Sequence, residues 1–250
     1  PDNVDQYVTG EASVFRGSGG SNTVFYIARE NGRVGDMYGT GFVQVDGQNL
    51  FGANGLPVQD GTLRLLGNYN PDFSMGFNNQ FTYKGLSMTV LVDWRKGGTF
   101  VSRTKALGST SGVLEETLVG RETGVIGEGV MNVGTATEPV YVPNTTVVPA
   151  SQFYNNFFDR GNEASALYDA SYVKLRQVSF YYRIPKESTM KIGFENISIG
   201  LVGSNLLLFT ENPHVDPELN AFQGRNITYG VEDMSYPSTR SFGVSLKTQF

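Results

Sequence analysis

The sequence contains no cysteine and a single histidine, His214. These absences exclude disulfide frameworks, thiolate nucleophiles, histidine-based catalytic triads and multi-histidine metal sites. A basic stripe is also missing, because 19 Lys and Arg residues are scattered among 24 Asp and Glu residues and the net charge is −5. Classical hydrolase chemistry is therefore poorly supported, and nucleic acid is not expected as a partner.

Long apolar runs are absent as well. Runs such as residues 206–209 fall far below the roughly 18 residues that a membrane-spanning helix needs. Abundant instead are glycine, with 31 residues, and the aromatic residues Phe and Tyr, with 17 and 13. This composition favours strands and turns. A transmembrane strand needs only about 9 to 11 alternating residues, so low hydropathy does not exclude a membrane location.

Residues 73–94 show the clearest strand pattern. Apolar and polar residues alternate with period two on both sides of Lys84 and Gly85. The pattern predicts a hairpin with a two-residue turn, in which Tyr83 lies opposite Leu86 and apolar residues face apolar residues along one side.

Three further segments alternate in the same way. Strands are predicted near residues 194–202 and at 241–250. In residues 172–183 the apolar phase changes midway, which predicts a bulge near Arg176 and Gln177. Weaker alternation predicts strands at residues 23–30 and 37–45.

Connections between these strands fall into two classes. The short ones are residues 31–36, 84–85 and 184–193, and the long ones are 46–71, 96–171 and 203–239. Strict alternation of short and long is typical of antiparallel strands that cross a membrane. A soluble, carbohydrate-binding β-sandwich would also alternate, with its apolar faces inward, and it remains an alternative.

An ordered set of segments covers most of the chain. Toward the C-terminus these are residues 169–182 (DASYVKLRQVSFYY), 184–186 (IPK), 203–206 (GSNL), 209–210 (FT), 216–218 (DPE), 236–237 (YP) and 240–250 (RSFGVSLKTQF). Upstream they are residues 38–39 (YG), 46–47 (DG), 66–73 (LGNYNPDF) and 92–98 (VDWRKGG). In order and spacing the set resembles the SusC/RagA-like TonB-dependent transporters of Bacteroidetes outer membranes.

The resemblance implies an all-β fold, a transmembrane antiparallel β-barrel. Residues 1–250 would form the C-terminal strands of a large barrel of about 22 strands. Nothing in the chain corresponds to the plug domain or to the TonB box of the family. The chain is therefore expected to be one part of a longer transporter.

The resemblance also implies a function without catalysis. A protein of this family imports oligosaccharides or peptides across the bacterial outer membrane as a multi-pass protein in a SusC/SusD-type complex. Expected partners are the plug and N-terminal strands of the same transporter, a SusD-like lipoprotein, TonB through the missing N-terminal part, outer-membrane lipid and the substrate. A passive porin-like channel, complete in one chain and without a plug, is a further alternative.

Candidate site residues follow from the same comparison. Phe242, Val244, Leu246 and Phe250 resemble the C-terminal signature recognised by barrel-assembly machinery, although an aromatic girdle at the membrane interface would look alike.

Two groups are candidates for contact with substrate or with the lipoprotein lid. Tyr154, Phe157 and Phe158 offer flat apolar faces for sugar rings. Asp216 and Glu218 flank a proline in a long loop, where they would bind a polar ligand or Ca²⁺, or else serve as solvated turn formers. No other cofactor is expected.

Overall fold

The computed structural model describes residues 7–15, 22–29, 31–157, 162–223 and 226–249. The strands are β1 (Tyr7–Phe15), β2 (Asn22–Ala28), β3 (Asp36–Phe42), β4 (Gln44–Val45), β5 (Gln48–Phe51), β6 (Gln59–Asn68), β7 (Phe73–Tyr83), β8 (Leu86–Lys96), β9 (Thr99–Ser102), β10 (Val130–Asn132), β11 (Tyr141–Pro143), β12 (Leu167–Asp169), β13 (Tyr172–Arg183), β14 (Asn196–Phe209), β15 (Ala221–Gln223), β16 (Asn226–Thr228), β17 (Val231–Glu232) and β18 (Ser241–Gln249). The helices are α1 (Arg103–Thr110), α2 (Ala150–Phe157) and α3 (Lys186–Thr189), with single 3₁₀ turns at Glu115–Leu118, Glu163–Ala166 and Met190–Ile192. None of the helices in these ranges is both long and apolar enough to cross a membrane.

The chain divides into two compact units. The first, called the mixed unit, comprises Pro1–Asn70, Gly98–Asp169 and Leu219–Ser235. The second, called the sheet unit, comprises Pro71–Gly97, Ala170–Glu218 and Tyr236–Phe250.

The sheet unit is a single antiparallel sheet in the order β7-β8-β13-β14-β18. Its first hairpin confirms the predicted register, since Tyr83 pairs with Leu86 across the two-residue turn. Lys84 and Gly85 both have positive φ, at 44° and 83°. Two such residues in succession are the requirement of the primed turns that match the twist of a hairpin.

The predicted bulge is also confirmed. The register of β13 slips between Leu175 and Gln177 against both of its neighbours. Against β8, Arg176 is the extra residue. Against β14, Arg176 faces two residues, Asn205 and Leu206. On either side of the slip, Leu175 pairs with Val92 and Val178 pairs with Val90. The bulge therefore restores the apolar face after the change of phase in the sequence.

Cross-strand pairing gathers the apolar residues into rows that run across all five strands. One row is Tyr83, Leu86, Tyr182, Ile199 and Leu246. The next is Phe81, Met88, Phe180, Leu201 and Val244. Rows of the opposite face carry polar residues and glycine, for example Thr82, Ser87, Tyr181, Gly200 and Ser245. The sheet is thus apolar on one face and polar on the other.

Connections within the sheet unit separate by length. The short ones, residues 84–85 and 184–195, join strands at one end of the sheet. The long ones, residues 97–171 and 210–240, leave from the other end. This part of the predicted topology is confirmed.

The mixed unit consists of smaller sheets, in the orders β1-β2-β3-β6, β11-β10-β5-β4, β12-β9-β17 and β15-β16. Its main core consists of Val24, Met37, Val101, Ala166, Ala221 and Val231. A second cluster consists of Phe51, Val148 and Phe153. These clusters join the long connections of the chain into one folded body.

Two predictions about connections were wrong. Residues 46–71 are not a long connection, because they contain β6, which pairs with β3. Only four residues, 69–72, separate β6 from β7, so two short connections follow one another and the strict alternation breaks. Strand β6 was not predicted because its sequence, QDGTLRLLGN, does not alternate between apolar and polar residues along its whole length.

The prediction for β14 ended too early. The strand continues past Val202 to Phe209, which pairs with Val173. Gly203, Ser204 and Asn205 have loop-forming character, and Asn205 has a φ of 51°. These residues form an irregularity within the strand and do not end it, because pairing with β13 resumes at Leu207.

Candidate functional site

The apolar face of the sheet unit is uncovered. On β18, Phe242, Val244 and Leu246 are 78%, 77% and 66% exposed. Ten more large side chains of the same face are exposed: Met75, Phe77, Phe81, Leu86, Trp94, Phe180, Ile199, Leu201, Leu207 and Phe209. Soluble monomeric proteins rarely expose a contiguous apolar surface of this extent, and such a surface usually contacts a membrane or another protein.

On the polar face, small residues make room for large ones. The Tyr181 ring lies across Gly200, where a Cβ atom would come within 2.3 Å of its Cδ1. The Lys247 ammonium lies 4.7 Å from the centroid of the same ring. The face therefore presents hydroxyls, amides and charges to water, while the other face presents hydrocarbon.

A buried lysine lies on the polar side of β13. This residue is Lys174, which pairs with Asp93 of β8 in the sheet register. Its side chain is 5% exposed. The Lys174 ammonium donates to Asp216 and to Glu218, each at 2.6 Å. Burying a charge without a partner is strongly unfavourable, so these contacts are what permit a lysine at this position.

Arg176, the bulge residue, completes the cluster. Its Nε donates to Asp93 Oδ2 at 2.5 Å, and its two terminal nitrogens donate to the two oxygens of Glu218. This is the bidentate arrangement that a guanidinium favours with a carboxylate. The hydrogen bonds from Arg176, followed by those from Lys174, lower the pKa of Glu218 to about 2 against the opposing effect of its partial burial.

Asp216 is the junction of the cluster. One of its oxygens accepts from Lys174 Nζ and from Ser238 Oγ, at 2.6 and 2.7 Å. The other accepts from the backbone N–H of Glu218 at 3.0 Å. This last hydrogen bond forms a turn. The side chain of Asp216 is 4% exposed, whereas that of Glu218 is 41% exposed and remains in contact with solvent.

Calcium binding at Asp216 and Glu218 stays a prediction. Both carboxylates are occupied by Lys174 and Arg176, which a cation would have to displace. Within the described ranges no group of three or more His, Asp or Glu side chains is arranged to hold a metal ion.

Tyr154, in α2 of the mixed unit, is firmly held. Its hydroxyl donates to the carbonyl oxygens of Glu116 and Val119, at 2.9 and 3.2 Å, and its ring meets Phe153 edge to face at 5.5 Å. Burial, with the nearby Glu116 as a smaller cause, raises the pKa of this phenol. Tyr154 is therefore a fixed part of the surface.

A cleft of about 440 Å³ lies beside Tyr154. Its lining combines the polar side chains of Ser109, Ser111, Thr117, Arg121 and Ser151 with apolar surface from Pro149, Ala150 and Tyr154. The Arg121 guanidinium is fixed by Thr117, donating to its carbonyl oxygen at 3.0 Å and to its hydroxyl at 3.2 Å. Hydroxyls and a fixed guanidinium beside apolar surface and an aromatic ring suit a ligand with both polar groups and apolar faces.

The remaining candidates have mixed outcomes. Phe157 ends α2, but its side chain and the whole of Phe158 lie outside the described residues. Phe242, Val244 and Leu246 lie on the exposed apolar face of β18. Phe250 lies outside the described residues, so the assembly role of this group stays a prediction.

Sequence reasoning did not single out Lys174, Arg176, Asp93 or Ser238 as functional. The sequence signal that could have indicated them is the presence of two cationic residues, Lys174 and Arg176, close together in one strand of a chain with only 17% charged residues. Their carboxylate partners lie on other elements, so only the fold brings the four groups together.

No protein-family model matches the chain. TonB-dependent receptor P3 of Formosa agariphila is 29% identical over 195 residues, which cover 75% of this chain and 17% of that receptor. Receptor P39 of the same organism is 24% identical over 192 residues, 74% of this chain and 17% of that protein. Over about three quarters of its length, the chain is thus similar in sequence to TonB-dependent receptors. It spans about a sixth of the length of these relatives.

Solved structures agree with the chain in fold. The RagAB peptide importer in its closed-closed state has a TM-score of 0.53 and 14% identity, covering 94% of this chain and 28% of that one. Another RagAB peptide transporter structure has a TM-score of 0.53 and 16% identity, with the same coverage. The predicted resemblance and the all-β barrel fold are confirmed. The relatives are receptors and transporters and not enzymes, which fits the expectation that no reaction is catalysed.

Proposed function

We propose that this chain is the C-terminal part of an outer-membrane, TonB-dependent importer of oligosaccharides or peptides. The sheet unit forms part of the membrane-spanning wall, and the long connections form part of the outer surface, where a SusD-like lipoprotein caps the transporter. The plug and the TonB-contacting segment belong to the remainder of the same protein.

The apolar face of the five-stranded sheet carries this proposal. Thirteen large apolar side chains, from Met75 to Leu246, face outward without cover, while the reverse face is polar. Lipid on one side and a water-filled path on the other account for both surfaces. A soluble sandwich would place the apolar face in a dry interior, contrary to the observed exposure.

Backbone pairing supports the same assignment. A strand in lipid must pair its N–H and C=O groups with other strands, because hydrocarbon offers no substitute. Strands β8, β13 and β14 are paired on both edges, and each pair runs for nine residues or more. The length of β7 and β8, 11 residues each, suits a tilted membrane crossing.

The cleft beside Tyr154 is the part of the outer surface that we assign to substrate or lid contact. The residues that line the cleft lie between positions 109 and 154, within the long connection 97–171. By the membrane topology this connection lies on the outer side. The hydroxyls, the guanidinium and the aromatic ring of the lining fit a hydroxyl-rich sugar or a peptide backbone.

The test is performed on the full-length transporter in its native host. Deletion of its gene is expected to abolish growth on at least one oligosaccharide or peptide supplied as sole nutrient, and loss of TonB is expected to have the same effect. Growth that survives loss of TonB but not loss of the transporter would indicate a passive channel instead. Recovery of the protein in the soluble fraction after detergent-free lysis would contradict the membrane assignment.

A further inference from the structure

The long connection between β14 and β18 begins and ends in the sheet unit. Residues 210–218 leave the sheet, residues 219–235 belong to the mixed unit, and residues 236–240 return to the sheet. The two segments 210–218 and 236–240, named here the outgoing and returning stems, meet at the cluster centred on Asp216.

The outgoing stem is held at several points. Thr210 Oγ1 donates to the carbonyl oxygen of Ser171 at 3.0 Å, which ties the start of the stem to the residue before β13. Asn212 Oδ1 accepts the backbone N–H groups of His214 and Val215, at 3.1 and 3.3 Å. Prolines at positions 213 and 217 restrict φ, so the stem loses little further entropy when it is held.

The returning stem is attached through two contacts. Ser238 donates to Asp216 at 2.7 Å. Asn205 Nδ2 of β14 donates to the carbonyl oxygen of Thr239 at 3.2 Å. Asp216 thus receives the returning stem through Ser238 and the sheet through Lys174, with one and the same carboxylate oxygen.

We infer that Lys174, Arg176, Asp216, Glu218 and Ser238 form an ion-pair clamp that closes the base of this connection and fixes both stems to β13. The clamp therefore restrains both stems where they leave and re-enter the sheet. The two stems do not open independently, because they share Asp216 as an anchor. The inference concerns the sheet unit alone and holds whichever substrate is imported.

Burial distinguishes this clamp from ordinary surface ion pairs. The side chains of Lys174 and Asp216 are 5% and 4% exposed, so salt in the medium screens their attraction little. Removing one partner leaves a buried charge uncompensated, which is far more disruptive than breaking a pair in water. Glu218 is 41% exposed and Arg176 21%, so they form the outer, wetter half of the clamp.

Hydrogen exchange on the full-length transporter in lipid nanodiscs tests the clamp. In Lys174→Met, the hydrogen-bonded amides of the outgoing stem, at positions 212, 214, 215 and 218, are expected to exchange about tenfold faster or more, since a charge-assisted hydrogen bond corresponds to roughly that factor or more. The returning stem is exposed, so its motion is followed with a spin label attached at position 236. The label should become more mobile in the same variant. Lys247→Met, which removes an exposed lysine of the same sheet, is the matched control and should leave both stems unchanged.

A second variant covers the case in which Lys174→Met does not assemble. Ser238→Ala removes only the hydroxyl between the stems, so the label at position 236 should become more mobile while the outgoing stem keeps its protection. In the protein without these substitutions, the protection of the outgoing stem and the restricted motion of the label should persist at about 1 M salt.

Three results would overturn the clamp. They are wild-type exchange and wild-type label mobility in Lys174→Met, loosening of one stem without the other in that variant, and loss of the outgoing stem's protection at high salt without any substitution in the clamp. An unchanged returning stem in Ser238→Ala would likewise remove the proposed bridge between the stems.

Discussion

At the scale of single residues, the chain places charges where their surroundings balance them. Lys174 and Asp216 are buried together on the polar side of the sheet. In the mixed unit, Glu232 is fully buried and accepts from the hydroxyls of Ser102 and Thr104, at 2.8 and 2.7 Å. Each of these carboxylates connects segments distant in sequence, so each helps to fix the long connections.

The lowered pKa of Glu218 predicts a pH dependence. Its pKa is about 2 in the folded protein against an ordinary value of 4.5, so the folded state favours the ionised form. The resulting stabilisation is complete above the ordinary value and is lost as the pH falls from there through about 2. We therefore expect the stability difference between wild type and Glu218→Gln to be constant between about pH 6 and 8 and to shrink steadily below about pH 4.

Thermal unfolding of the full-length transporter in detergent over this pH range measures the effect. Glu138→Gln, at an exposed position of the mixed unit, is the control and should show no comparable decline. A difference for Glu218→Gln that stays undiminished at about pH 2 would contradict the assigned ion pairs.

The cleft beside Tyr154 gives a second prediction at this scale. Ser151 is exposed at the edge of the cleft, so Ser151→Trp should fill it without disturbing a core. Uptake of the substrate identified for the transporter is expected to fall several-fold, with unchanged surface levels. Ala136→Trp, at another exposed position of the same unit, is the control and should leave uptake unchanged. Equal uptake by both variants would show that the cleft does not take part in substrate recognition.

At the scale of elements, alternation predicted the sheet unit well because both of its faces meet uniform surroundings. The β7-β8 hairpin, its turn and the bulge at Arg176 followed from period two and a single change of phase. β6 was missed, since its residues meet a mixed environment and do not alternate. The ion-pair cluster could not be predicted, because pairing between β13 and a loop more than forty residues away is a property of the fold.

The two faces of β18 predict opposite responses to charge. Val244→Lys or Leu246→Lys places an ammonium on the exposed apolar face and should destabilise the assembled transporter by about 2 to 4 kcal/mol near the middle of the bilayer. Ser245→Lys, on the polar face, should be much milder. Denaturant unfolding of the full-length protein in lipid vesicles measures the three values, and equal losses at all three positions would contradict the assigned facing.

At the scale of the whole molecule, the chain covers a small part of the proteins that it resembles. It matches 17% of the length of its receptor relatives and 28% of the RagAB chain. In the proposed transporter, substrate choice, coupling to TonB and contact with a lid would therefore also involve residues outside this chain. The chain itself would contribute a stretch of wall and the folded connections attached to it.

The end of the chain gives the prediction at this scale. Phe250 follows the apolar residues of β18 and resembles an assembly signal. Its deletion from the full-length transporter is expected to lower the amount inserted in the outer membrane several-fold, while the molecules that do insert bind substrate normally. Surface labelling and binding per labelled molecule separate the two effects, and unchanged surface levels would count against the assembly role.

The position of β18 at the border of its sheet has a consequence for handling the protein. Among the described strands it pairs with β14 alone, so the N–H and C=O groups along its other edge can pair with a strand of another molecule. An unpaired edge of this length next to an apolar surface promotes aggregation between copies of the chain. Production of these 250 residues by themselves should accordingly yield insoluble, strand-rich material unless a complementary segment from the rest of the transporter is supplied.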